Sequence, residues 1–201
     1  MRKLQIGIVD IVSKGPTRAL YARVMNANLA SIMPQVIGVG CRQLGHEVTL
    51  VYYTGFEDFL AELPGTLDLL FISAFTEAAH TAYSLSNLFR ARGAITVLGG
   101  PHARCYPEDA LRYFDYVLGF TDRETLHAVL QDCARHRPVG VHISAQRQPL
   151  ALPGVRERWQ FIEPTLRKTP FLKMVPMLGS LGCPYTAASA STQRSLAADE
   201  L

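Results

Sequence analysis

A chain of 201 residues with 48% hydrophobic content holds one well-packed domain of roughly 100–200 residues and a modest extension. Its 20 basic and 17 acidic side chains leave a formal net charge of +3. A mean hydropathy of +0.10 excludes wholesale disorder, which needs low hydrophobicity and high net charge. No Lys/Arg cluster stands out, so no nucleic-acid partner is expected.

The start imitates a signal peptide, with Met1-Arg2-Lys3 ahead of the apolar run Leu4 to Val12. Asp10 interrupts that run, and no small-residue cleavage site follows. No apolar stretch approaches the ~18–20 residues of a membrane helix. A cytoplasmic protein without a membrane partner is expected, with Leu4–Val9 as its first buried strand. Cys41, Cys105, Cys133 and Cys183 lie far apart and form no CxxC pair. Reduced thiols are expected, with Cys41 and Cys133 on helix faces turned to the core.

Further β-rich runs occur at Glu47–Tyr53, Leu67–Ser73, Ile95–Leu98 and Tyr116–Leu118. Helical spacing separates them. Met33, Ile37, Cys41 and Leu44 make one stripe, Ala78, Ala82, Leu85 and Phe89 a second, and Leu126, Val129, Leu130 and Cys133 a third. Gly45 and Gly93 stand where helices would end, and Thr121-Asp122-Arg123-Glu124 reads as a capping box. Strands alternating with helices predict βαβ units. The expected fold is α/β, a flavodoxin-like (Rossmann-like) doubly wound sheet of five parallel strands, over residues 1–136.

Residues 137–172 carry Pro138, Pro149, Pro153, Pro164 and Pro170 and predict an extended linker with one helical turn near Arg156–Trp159. A C-terminal extension, 173–201, opens with the apolar run Lys173–Leu178, short enough for a strand, and ends in small polar residues. With nothing to pair against, that strand is expected to be poorly ordered, to repack on the sheet, or to join a second copy as a homodimer.

In a doubly wound sheet the ligand sits outside the carboxyl ends of the strands, at the topological switch point. That rule singles out Asp10 and the loop after it, Ser73-Ala74-Phe75-Thr76, Gly99-Gly100-Pro101-His102, and Gly119-Phe120. A dinucleotide fold needs GxGxxG after strand 1, where Asp10-Ile11-Val12-Ser13 stands instead. The nearest string, Gly38-Val39-Gly40-Cys41-Arg42-Gln43, has Gln43 at the third glycine and lies inside a helical stripe. A phospho-receiver would want a carboxylate after strand 3, where Ser73–Thr76 offers none. Gly99-Gly100 and Gly119, beside the small strand-3 turn, predict a broad, uncharged shelf. Such a shelf suits a bulky neutral ligand, since a phosphate would want a glycine-rich nest or a Lys. His102 reads as a surface histidine of a tight turn or as a ligand-facing group, and Asp10 as a loop cap or a ligand-facing carboxylate.

Four pieces of sequence in order resemble a known family: Gln43–Val48, Gly99-Gly100-Pro101-His102-Ala103, Phe114–Gly119 and Gly182-Cys183-Pro184-Tyr185-Thr186. They are similar to the cobalamin-binding domain of cobalamin-dependent radical S-adenosylmethionine (SAM) enzymes, over roughly residues 1–186. The resemblance implies cobalamin held at the C-terminal edge of the sheet, its nucleotide tail between sheet and helices, and cobalt without a protein histidine. The Asp-x-His-x-x-Gly motif that supplies a lower ligand in other cobalamin proteins is absent at all six histidines. By position, the resemblance implies Ser73 and Thr76 bonding corrin amides or tail, and Gly99 and Gly100 admitting the ligand to the backbone. Ala74 and Pro101 would border it, His102 would lie beside the ring, and Asp10 would face its underside. Gly119-Phe120-Thr121-Asp122 departs from the family's common Gly-Glu-Gly-Glu, which weakens the implied tail contact there.

Intact members also use a [4Fe-4S] cluster and SAM, the cluster held by three thiolates in Cys-xxx-Cys-xx-Cys. Cys183 matches the first position, but Ala187 and Ala190 occupy the next two, and 18 residues follow Cys183. The chain is therefore read as the cobalamin-binding module of a radical SAM enzyme, not catalytic as it stands. It would be cut just inside the catalytic barrel, or be a natural stand-alone cobalamin carrier or sensor. In the family the cofactor typically serves methyl transfer. A nucleotide-sugar-binding half of a glycosyltransferase and an interaction module without cofactor are the alternatives.

Overall fold

The computed structural model describes residues 2–12, 30–55, 58–135, 140–146, 151–168 and 173–178. Six parallel strands form one sheet: β1 Gln5–Ile11, β2 Glu47–Tyr53, β3 Leu69–Ala74, β4 Ile95–Gly99, β5 Tyr116–Leu118 and β6 Val141–Ile143. Their order is β2-β1-β3-β4-β5-β6, the flavodoxin-like order 2-1-3-4-5 with one strand added at the edge. The register sets Asp10 beside Ser73, and Ser73 beside Gly99, at the carboxyl ends of β1, β3 and β4.

Helices cover both faces, which is why β1, β3 and β4 read as nearly continuous apolar runs. On one face Ile8, Phe71, Val97 and Leu118 join a core with α1 (Ile32–Gln43), α5 (Arg123–Arg135) and α6 (Val155–Lys168). On the other, Val9, Ile72, Leu98 and Val117 pack with α2 (Ala79–Ala91) and with the short α3 (Pro101–Cys105) and α4 (Pro107–Ala110). Alternation along each strand sorts the side chains between these two cores.

Glycine placement inside α1 follows from packing. A Cβ on Gly38 would lie 2.7 Å from the Phe161 ring of α6, and one on Gly40 would lie 2.6 Å from Leu126 of α5. Two glycines cost a helix roughly 1 kcal/mol each; here they let two neighbouring helices approach closely. The Gly38-Val39-Gly40 string is thus a packing device. Gly93, at φ +90, ends α2: its N–H bonds Arg90 O at 2.9 Å while Ala94 N–H bonds Phe89 O at 3.0 Å, the paired pattern of a Schellman cap. Gly45 ends α1 in the same way.

Several expectations need correction. The sheet has six strands rather than five, because Val141–Ile143 pairs with β5. Residues 137–172, read as an extended linker, supply that strand and the 14-residue helix α6. Trp159 is exposed on α6. Lys173–Leu178 has no regular secondary structure and joins no strand pair. The cap of α5 is Asp122, whose carboxylate accepts from Thr125 N–H at 2.7 Å, one residue beyond the expected Thr121. Cys41 is buried and, with Cys105 and Cys133, is a free thiol. Among the described residues no helix is long and apolar enough to cross a membrane.

Candidate functional site

The α1 face of the sheet opens at its carboxyl edge into a cleft of about 320 Å³, at the lower end of the usual ~300–1,000 Å³ for small-molecule sites. Strand alternation brings Ile8, Phe71, Ser73, Gly99 and Leu118 to its floor, from four adjacent strands. The first turns of α1 make one wall through Ile32, Met33 and Ile37, and Phe120 and Thr121 make the other. Pro34 falls in the first turn of α1, where a missing N–H removes no helix bond. The lining is apolar with one charge. Arg104 of α3 stands at the rim with its guanidinium 5.4 Å from the centre of the Phe120 ring. The shelf expected to be uncharged therefore carries one cation at its edge.

The three glycines expected here prove to be different in kind. A Cβ on Gly99 would meet nothing within 4 Å, so its missing side chain is open room in the cleft. Gly100 has φ +91, and a Cβ there would lie 3.1 Å from Ala74 O and 3.2 Å from Ser73 Oγ. Its glycine is required by the turn and by the close approach of β3. A Cβ on Gly119 would lie 2.6 Å from Ser144 Cβ, so that position is small because Ser144, just after β6, lies against it. Gly99 alone of the three is small toward the open cleft.

Asp10 lies just behind the floor and is 1% exposed. Its carboxylate accepts from Ser31 N–H, immediately before α1, at 2.8 Å. Desolvation pushes it up to about 6, against hydrogen bonds from Ser31 and Ser73 that favour the charged form. Asp10 therefore ties β1 and β3 to the start of the helix that walls the cleft. It does not line the cleft itself.

His102 takes another direction. The ring is 4% exposed and lies on the α2 side, with Nε2 2.6 Å from the Tyr83 hydroxyl. Tyr83 donates to Asp109 Oδ2 at 2.8 Å, so it accepts from Nε2–H of a neutral His102. Burial lowers the imidazole's pKa, in keeping with that neutral form. Nδ1 is then left to accept from the Thr76 hydroxyl, 3.4 Å away. Every polar atom of the chain has a partner, and the chain is closed. Burial and the Asp109 carboxylate push the Tyr83 hydroxyl up.

Of the residues expected at the site, Ser73, Gly99, Gly100, Pro101, Gly119 and Phe120 come together around the cleft. Ala74 is buried in the opposite core, and Thr76 and His102 belong to the closed chain beside Tyr83. His102 is thus neither a surface histidine nor a group lining the cleft. Cys183 and most of the loop after β1 lie outside the described residues. Sequence reasoning missed Arg104 and Leu178, which also line the cleft. Met33 and Ile37 were visible as a helical stripe, but they face the cleft half-buried while Gln35, Val39 and Cys41 fill the core. Among the described residues, no three His, Cys, Asp or Glu side chains gather to hold a metal ion.

No family model matches the chain. Over 125 residues it is 26% identical to the bacteriochlorophyllide d C-8(2)-methyltransferase of Chlorobaculum tepidum, a match covering 62% of this chain and 28% of that protein. The match thus spans under a third of the relative's length, and the likeness to that methyltransferase is a distant one.

Proposed function

We propose that the sheet domain is a cobalamin-binding module related to those of radical SAM methyltransferases. The single observation that carries this reading is the open apolar cleft beneath Gly99, at the switch point where β1 and β3 lie side by side. The resemblance in the strand-4 and strand-5 turns supports it, as does the distant likeness to a methyltransferase.

The residues present fit part of such a cofactor. The cleft is too small to enclose a corrin, but a flat apolar group would fit between α1 and the sheet, and Gly99–Pro101 would border the rest of the cofactor. Ile8, Ile37, Phe71 and Leu118 would exclude water from the inserted group. The hydroxyls of Ser73 and Thr121 would meet polar substituents at the mouth, and Arg104 would favour an anionic one. When bound, cobalamin supplies a cobalt centre able to carry a methyl group. With Ala187 and Ala190 at two of the three cluster positions, this chain binds the cofactor without performing the radical chemistry of its family.

Hydroxocobalamin mixed with the purified protein and passed through a desalting column tests the proposal. About one equivalent of corrin absorbance should stay with the protein, shifted toward the form with its nucleotide base detached. A colourless protein peak would refute the reading and turn attention to a nucleotide-sugar ligand.

A further inference from the structure

Arg104 is the one charged side chain among the described residues that line the cleft. Its remaining polar lining is the hydroxyls of Ser31, Ser73 and Thr121. Arg104 is exposed, and its guanidinium lies over the face of Phe120, which lines the cleft as well. Stacking on that ring holds the cation at the rim. Among the described residues no carboxylate pairs with it. Asp10 is bonded to Ser31 N–H behind the floor, and Asp122 is bonded to Thr125 N–H as the cap of α5. Asp109 accepts from Tyr83 on the other face and lies 3.5 Å from Arg112.

An exposed guanidinium is well served by water while the cleft is empty. An apolar group filling the cleft displaces water from the cation's inner side and lowers the local dielectric, which strengthens any charge pair formed there. A neutral ligand leaves those N–H donors facing carbon. A ligand that ends in a carboxylate, sulfonate or phosphate occupies them, in the fork geometry that arginine offers to oxyanions.

We infer that the cleft selects an amphipathic anion, with an apolar body between α1 and the sheet and an oxyanion received by Arg104 at the rim. The inference rests on the reading of the cleft as the ligand site. It adds the chemical class that the site prefers, whether or not the ligand is a corrin.

Two fluorescent probes with one skeleton test it on the full chain: 1-anilinonaphthalene-8-sulfonate and N-phenyl-1-naphthylamine, which lacks the sulfonate. Arg104→Gln should weaken the sulfonate dye about five-fold, the upper range for a solvent-edged ion pair, and leave the neutral dye unchanged. Arg92→Gln removes a cation that also stacks on a phenylalanine, Phe89, at 5.4 Å, but lies outside the cleft lining. It should alter neither dye. Gly99→Phe should weaken both, since its ring fills the cleft. Equal loss of both dyes in Arg104→Gln, no loss of either, the same loss in Arg92→Gln, or binding indifferent to Gly99→Phe would each overturn the inference. The expected dye pattern with no retention of hydroxocobalamin would keep the anion preference and remove the cofactor assignment. Retained corrin without discrimination between the dyes would do the reverse.

Discussion

The end of β4 and the turn after it send two residues to opposite fates. Gly99 faces the α1 side, where its absent side chain leaves open space above an apolar floor. His102, three residues on, faces the α2 side, where Tyr83, Asp109 and Thr76 complete its hydrogen bonding. The same contrast extends beyond the turn. On the open side the buried charges of Asp10 and Arg158 are both pushed toward their neutral forms; on the closed side a neutral imidazole and a hydroxyl satisfy one another. Polar groups that look like a site in sequence can be a core fastening, while the open cleft is marked by what is missing.

The largest effect expected from this contrast is the pH dependence that Asp10 imposes. Its carboxyl is raised from 3.8 to about 6 in the folded chain, so between those values the folded state holds a proton that the unfolded state has lost. The associated stability is fully present below about pH 4 and is lost as pH rises through about 6. At pH 7 it is lower by roughly 3 kcal/mol. Urea unfolding of wild type and Asp10→Asn at pH 4 and pH 7 should show the wild type losing that much relative to the variant. A difference independent of pH would break the contrast on its open side.

Next comes Gly100→Ala, which forces a side chain onto a left-handed backbone and to within 3.1 Å of Ala74 O. It should cost about 2 kcal/mol, read as a lowered urea midpoint. Tyr83→Phe should cost about 1–2 kcal/mol by leaving His102 and Asp109 without the hydroxyl between them. Ligand retention should be unaffected by it, since that chain closes on the far side of the sheet. Gly99→Ala should sit at the other extreme, changing stability by less than about 0.5 kcal/mol, because the added methyl enters empty space.

Much of the architecture was legible because burial on both faces writes itself into strands as apolar runs. Glu47–Tyr53 and Tyr116–Leu118 were bounded as observed, and the stripe Ala78, Ala82, Leu85, Phe89 is buried throughout. The last helix hid for a physical reason. Its inward positions, 158, 161, 162 and 165, have helical spacing, but Arg158 and Thr165 hold two of them and Pro164 interrupts the segment. β6 is only three residues long and follows Gly140, too little for an alternation to register. Around the cleft, sequence singled out the strand ends that border it. It could not tell which face each residue would take, nor separate a glycine required by φ, as at 100, from one that leaves room, as at 99.

Titration of hydroxocobalamin into wild type, Tyr83→Phe and Gly99→Phe, each first confirmed folded by circular dichroism, addresses the central claim most directly. Wild type and Tyr83→Phe should bind alike. Gly99→Phe, with a ring filling the cleft, should bind about a hundred-fold more weakly, a difference of ~2.7 kcal/mol. Equal binding by Gly99→Phe would contradict the assignment of the open face as the ligand site.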